Sequence, residues 1–208
     1  MTPIAARCRL LLTGAATLAA TALLAAPATA SVAPAAAGCP ETPVVQPFAQ
    51  FDGDDSDYFL APDGGFENGA AGWTLHGQTA VTQDNEPWAV NAAGDAAALR
   101  LAPGSSATTE PFCIGVEHRS MRFFSNAASS STMNVDVLIE GPGASQPAVR
   151  VAAVRGSDAW APSDIVPMIV NELAAEQGNA MNVRLRFTPH GAGAWTIDDV
   201  FVDPYRMR

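Results

Sequence analysis

From about residue 51 onward, apolar side chains recur at every second position in short runs, and clusters of Gly, Pro, Asn and Ser separate the runs. A two-residue period puts successive side chains on opposite faces of a strand. The clearest run covers residues 182–188, where Val183, Leu185 and Phe187 alternate with Arg184, Arg186 and Thr188. One face is core and the other is wet. Residues 132–140 repeat the pattern, with Val135, Val137 and Ile139 on one side and Asn134, Asp136 and Leu138 on the other. Leu138 predicts that even the outer face is partly covered. Further strands are expected over residues 73–82, 97–101, 112–116, 121–125, 148–154 and 195–203. About eight short strands with turn signals between them predict an all-β fold, a two-sheet antiparallel sandwich.

One segment breaks the pattern. Within residues 164–177, Ile165, Met168, Ile169 and Leu173 stand three and four apart, which predicts a short helix packed over a sheet edge. Ser163 or Asp164 is placed to cap it, Pro167 sits in its first turn and Gly178 ends it.

The N-terminus has another character. Arg7 and Arg9 precede an apolar run over residues 10–24, and Ala28 and Ala30 supply an A-x-A site. A charged region, an apolar region and small residues in that order predict a signal peptide over residues 1–30, cut before Ser31. A second such site, Ala35 and Ala37, would cut before Gly38. The apolar run is shorter than the roughly 20 residues a spanning helix needs, so no membrane span is expected. Ala36-Ala37-Gly38-Cys39 also resembles a lipobox, whose Cys becomes the lipidated first residue. Its Ala where Leu is usual, and the early end of the apolar run, depart from that motif. The expected location is therefore secreted and extracellular, with lipid anchoring through Cys39 as the alternative. Residues 31–50, rich in Ala and Pro, read as an extended leader, and residues 51–208 as the sandwich domain.

Export changes the charge and the cysteine chemistry. Removing residues 1–30 takes away two Arg and no acid, leaving 9 basic and 21 acidic residues and a net charge of −12. A domain so acidic does not suit nucleic acid or an anionic lipid surface. Every basic residue of the chain is Arg, and there is no Lys. Cys8 leaves with the signal peptide, so Cys39 and Cys113 remain, and two thiols in an oxidising compartment are expected to pair. With no further Cys or local His to complete four ligands, a metal site on those two sulfurs is not expected.

Two motifs lie at opposite ends of the domain: Gly65-Phe66-Glu67 with Gly72-Trp73, and Trp195-Thr196-Ile197-Asp198-Asp199-Val200. Together they resemble the galactose-binding-like jelly rolls, the superfamily of many carbohydrate-binding modules. The chain is also similar to secreted proteins of unknown function from high-GC bacteria, through Cys39-Pro40, Asn85-Glu86-Pro87, Phe112-Cys113, Arg122-Phe123-Phe124, Arg186-Phe187-Thr188-Pro189 and Asp203-Pro204-Tyr205. The first resemblance implies a jelly-roll sandwich, a polysaccharide or other glycan as partner, and a structural calcium ion held by Glu67 and by Asp199 or Asp198. Alternation from Ile197 puts Asp199 on the apolar face, where an unpaired carboxylate is costly, so Asp199 is the first choice. Hydrogen bonds from backbone or Arg are the other reading of these acids.

Sugar recognition asks for exposed rings beside planar polar groups. Trp73 and Trp195 read as core. Trp88, beside Asn85 in an acidic turn, is the first platform candidate, followed by Trp160 and by Tyr58 in the acidic loop; packing under a loop is the competing reading for each. The acidic run around Asp54, Asp55 and Asp57 lacks the Gly and Glu that an EF-hand loop needs. His76, His118 and His190 are scattered, and no G-x-S-x-G elbow occurs. The chain thus reads as a non-catalytic domain of carbohydrate-binding type, with an extracellular interaction module as the alternative and a small hydrolase as the second.

Overall fold

The computed structural model describes residues 38–51, 53–141 and 147–204. The expected signal peptide with its cleavage site, and the first part of the leader, lie outside the described residues. Those residues hold thirteen strands and one short helix.

Alternation builds two antiparallel sheets. The first contains β1 (Phe59–Leu60), β3 (Thr79–Thr82), β4 (Ala98–Leu101), β7 (Ser120–Ala127), β10 (Ala161–Pro162), β11 (Val166–Pro167) and β13 (Trp195–Asp203). Its order is β10-β7-β13-β4-β3, with β1 also on β13 and β11 also on β7. The second contains β2 (Thr74–His76), β5 (Ser106–Thr108), β6 (Phe112–Gly115), β8 (Thr132–Ile139), β9 (Ala148–Arg155) and β12 (Ala180–His190). Its order is β2-β5-β12-β8-β9, with β6 on the first half of β12. Val135, Val137, Val183, Leu185 and Phe187 of the second sheet meet Leu99, Leu101, Phe123, Trp195 and Ile197 of the first, all fully buried. Trp73 packs in the same core, its ring stacked on Phe187 at 6.0 Å. This is the two-sheet sandwich that period-two patterning predicts, in the jelly-roll form that the family resemblance implies.

Three segments differ from the expected boundaries. The run over residues 73–82 divides at Gly77, so β2 joins one sheet and β3 the other. Gly77 turns the chain with φ +75°, and a Cβ there would lie 3.0 Å from the Ser105 backbone. The expected helix over residues 164–177 shrinks to α1 (Asn171–Glu176), which no side chain caps. The residues before it obey a period of two: Val166, Met168 and Val170 are buried while Ile165, Pro167 and Ile169 are exposed. Pro167 pairs with Ser120 in β11, and the Met168 N–H donates to the Arg119 carbonyl at 2.8 Å. Sheet pairing thus overrides the three-four spacing, although Gly178, at φ +86°, follows α1 as predicted.

The leader is the third difference, because its described part is packed into the domain. Val45 bridges Tyr58 with two backbone hydrogen bonds, and Phe48 is fully buried. Cys39 and Cys113 form a disulfide, across a separation of 74 residues, that fastens this segment to β6. A lipidated cysteine carries its lipid on the same sulfur, so the disulfide and the anchor are mutually exclusive.

Candidate functional site

The outer face of the first sheet is covered. Outward-pointing Phe124 and Phe201 join Phe48 and Tyr58 in a second buried cluster, against which Phe51, Leu60, Val90 and Trp160 pack. Phe48 stacks on Phe124 at 5.2 Å and meets Tyr58 edge-on at 4.9 Å. The buried Arg122 guanidinium lies over the Phe48 ring at 4.3 Å and donates to Asp54 at 2.8 Å and to the Ser163 carbonyl at 3.0 Å. Tyr58 is buried and its hydroxyl donates to Asp54, so it offers no face to a sugar; burial, then Asp54, pushes its phenol well above the ordinary range. Its candidacy as a platform is corrected on that ground. Trp160 is half-buried against the cluster. Trp88 is 37% exposed, yet its ring meets Phe51 edge-on at 4.8 Å and tilts against Phe124 at 5.6 Å. The Asn85 side-chain amide donates to the Glu86 carbonyl, and its Oδ1 is buried without a partner. The three rings gather over one cluster, Tyr58 buried within it, Trp160 packed against it and Trp88 laid on Phe51 and Phe124.

A carboxylate cluster forms where the two end motifs meet. In β13 the pairing with β7 shifts register between Asp198 and Phe201, and Asp199 takes a left-handed φ of +47°. This bulge resets the alternation, so Val200 and Val202 rejoin the core and Asp199 leaves the simple period that Ile197 sets. The loop carrying Gly64 and Gly65 closes over it: the Val200 N–H donates to the Gly64 carbonyl at 3.1 Å, and the Val200 carbonyl accepts from Ala61 at 2.8 Å. A Cβ on Gly65 would stand 3.0 Å from Asp199 Oδ1, so a larger residue there would have to push the carboxylate aside by a few tenths of an ångström. Asp199 is completely buried, and neither of its carboxylate oxygens has a hydrogen-bond partner.

Its neighbours are acids. Burial, then repulsion from Asp95, Glu86 and Glu67, pushes Asp199 up to about 8. Burial, then Asp199, pushes Asp198 up to about 9, although Asp198 accepts from the Asp199 and Glu86 N–H groups. Burial raises Asp95 as well, with Glu67 and Glu86 adding to it. Glu86 accepts from the backbone of Trp88 and Val90, and exposed Glu67 from Ala96 and Ala97 at 2.8 and 2.7 Å. An orphaned, buried carboxylate among acids is costly, and a hard cation with oxygen ligands is one partner that would relieve it. The fit is incomplete in side chains alone. Among the described residues, only Cys39, Glu117 and His118 offer three side-chain ligand atoms within 4.8 Å of one another, and that sulfur is in the disulfide. A cation at Asp199 would need main-chain carbonyls as further ligands.

The outer face of the second sheet is open. A shallow groove there is lined by Thr74 and His76 of β2, Ser106 and Thr108 of β5, Leu138 of β8, and Arg184 and Arg186 of β12. Cross-strand pairing sets these side chains in register: His76 opposes Ser106, Thr74 opposes Thr108, and Thr108 opposes Arg186. Ion pairs fix the guanidinium planes. Arg186 reaches Asp136 at 3.0 Å, Arg150 binds the other oxygen of the same carboxylate, and Arg184 reaches Glu140 at 2.5 Å. Burial opposes ionisation of Asp136, but the two arginines hold its carboxyl below the usual range. Sequence reasoning read Arg184 and Arg186 only as a wet face. The alternation within β12 carried the signal, but which strands would flank it did not follow from the chain.

His76 and His190 stand exposed on β2 and β12. His118 is buried, its Nδ1 accepting from the Gly115 N–H at 2.6 Å, and burial holds its imidazole below the ordinary value. Among the described residues no serine hydroxyl is hydrogen-bonded to a histidine.

No known sequence family and no curated protein matches the chain. Among solved structures, the CBM22-1 xylan-binding domain from Paenibacillus barcinonensis Xyn10C aligns at 13% identity over 74% of this chain and 97% of that one, with a TM-score of 0.46. A family 11 carbohydrate-binding module of a Clostridium thermocellum cellulosomal cellulase gives 9% identity, 70% and 94% coverage and a TM-score of 0.44. A CBM61 module in complex with β-1,4-galactotriose gives 14% identity, 69% and 96% coverage and a TM-score of 0.39. The two-sheet sandwich itself rests on the strand pairing described above, independently of these superpositions.

Proposed function

We propose that this chain is an exported, non-catalytic sandwich domain that binds carbohydrate on the outer face of its second sheet, with a calcium ion at Asp199 fixing the junction of its two ends. The observation that carries the reading is the groove over β2, β5 and β12. A polyol ligand needs many hydrogen-bonding groups at fixed spacing, and strands present them about 5 Å apart on one rigid surface. Hydroxyls of Thr74, Ser106 and Thr108, the His76 imidazole and two ion-paired guanidiniums supply those groups, and Leu138 adds an apolar contact for sugar C–H faces. The Cys39–Cys113 disulfide supports an oxidising, extracellular setting. Asp199 is the anchoring ligand for calcium, with Glu67 and Asp198 beside it; the cation would neutralise the buried acids and lock the loop over residues 61–73 to the bulge.

Affinity electrophoresis against a panel of soluble polysaccharides, in calcium, tests the site. Retardation by at least one polymer is expected, lost about tenfold in Arg184→Ala and kept in Trp88→Ala. Retardation by none sinks the glycan reading. Loss in Trp88→Ala with Arg184→Ala unaffected would move the site to the aromatic face. Calcium is tested separately by equilibrium dialysis, with one ion bound per chain and none in Asp199→Asn expected.

A further inference from the structure

The charge of the groove face selects among carbohydrates. The chain as a whole carries a net charge of −10. The strands of the second sheet nevertheless hold Arg150, Arg155, Arg184, Arg186, His76 and His190 against a single acid, Asp136, with Glu140 just beyond β8. Strands of the first sheet hold Arg100 and Arg122 against Asp198, Asp199 and Asp203. Among the strand residues, the basic groups are therefore concentrated on the second sheet.

Register shows that all four arginines share the outer face. Arg186 pairs with Asp136, Asp136 with Arg150, and Thr132 with both Arg155 and His190, and cross-strand partners point the same way. Val135, Val137, Leu185 and Phe187 take the inner face. One carboxylate, Asp136, serves two guanidiniums, and Arg155 makes no ion pair among the described residues. The Arg150 and Arg186 side chains are 51% and 36% exposed, so their remaining N–H groups can be reached. The face thus has a surplus of planar, forked donors, which match a carboxylate or a phosphate bound through two oxygens.

We infer that the ligand of this face is an acidic glycan bearing carboxylates, a chain containing uronic acid; this rests on the sheet-face reading proposed above. A nucleic acid presents a phosphate every 1.7 Å of duplex, a charge density that the acidic remainder of the domain repels. A uronate chain places single carboxylates apart on sugar rings, which suits scattered guanidiniums above a row of hydroxyl-bearing strands.

The test uses the intact disulfide-bonded protein loaded with calcium, short oligogalacturonates and their methyl esters, measured by calorimetry at low and high salt. The free acid is expected to bind at least tenfold more tightly than the ester at low salt, with the gap narrowing as salt rises. Arg155→Gln should cut the preference severalfold with the melting temperature unchanged, and Arg186→Lys, which keeps charge and loses the fork, should also cut it. Equal binding of acid and ester, or binding of neutral glycans alone, overturns the acidic preference and leaves the carbohydrate reading standing. Binding of no glycan overturns both. Equal binding of single-stranded DNA or a sulfated glycan overturns carboxylate recognition in favour of bare charge attraction.

Discussion

The outer faces of the two sheets begin from the same alternation and end in opposite states. On the first sheet, outward Arg122, Phe124 and Phe201 are buried beneath Phe48, Phe51, Tyr58 and Trp88, and the arginine is absorbed by Asp54 and the Phe48 ring. On the second, outward Arg184, Arg186 and Arg150 stay partly exposed around a groove. Much of the difference is made by Phe48, Phe51 and Tyr58, which lie over the first sheet in the stretch that follows Cys39 and its disulfide to β6. Covering one face with aromatics contributes stability and leaves the other open to solvent.

The comparison can be broken most forcefully at the covering segment. Replacing Cys39 and Cys113 with Ser should lower stability by about 4 kcal/mol in chain-entropy terms, measured by urea unfolding; a loss below about 1 kcal/mol would mean that the segment holds without its staple. Phe48→Ala should cost about 3 to 4 kcal/mol, because it opens a cavity among Tyr58, Phe124 and Phe201. Groove binding by the folded fraction should be unchanged, and a parallel loss of binding would show that the faces are coupled.

The acidic junction gives a smaller effect that depends on pH. Asp198 and Asp199 have folded-state values raised to about 9 and 8, above the roughly 4 of an unfolded carboxyl. Their contribution is therefore full below about pH 4 and is lost as pH rises through the raised values. In chelator the melting temperature should fall by several degrees between about pH 5 and pH 9. Calcium should flatten that decline, and Asp199→Asn should flatten it without calcium. A decline that calcium leaves untouched would separate the aspartates from any cation. The smallest effect belongs to the open face: Arg155→Gln should change stability by less than about 0.5 kcal/mol, since Arg155 stands exposed and makes no ion pair among the described residues.

Strand runs with one buried neighbour on each side were legible. Val183, Leu185, Phe187 and Val135, Val137 face the core as the period predicts, and Trp73 and Trp195 are buried. The misreadings share one cause, which is that an apolar residue's address depends on what lies over it. Ile165 and Ile169 suggested a helix, yet pairing of Val166 and Pro167 with β7 fixed an extended backbone. Tyr58 looked like a ring in an acidic loop, yet Asp54 and Phe48 draw it under cover. Asp199 was legible as the costly acid, but the bulge that aims it, and the acids around it, come from three separated stretches of chain.

The sequence by itself determined the all-β class, the inward positions of the longer strands, the pairing of Cys39 with Cys113 and the acidic charge, because these depend on local period, residue counts and covalent chemistry. Only the tertiary structure decided which sheet the leader covers, where the arginines gather and which carboxylate is left without a partner. Those outcomes depend on register between strands distant in the chain, and no local pattern encodes register across such separations.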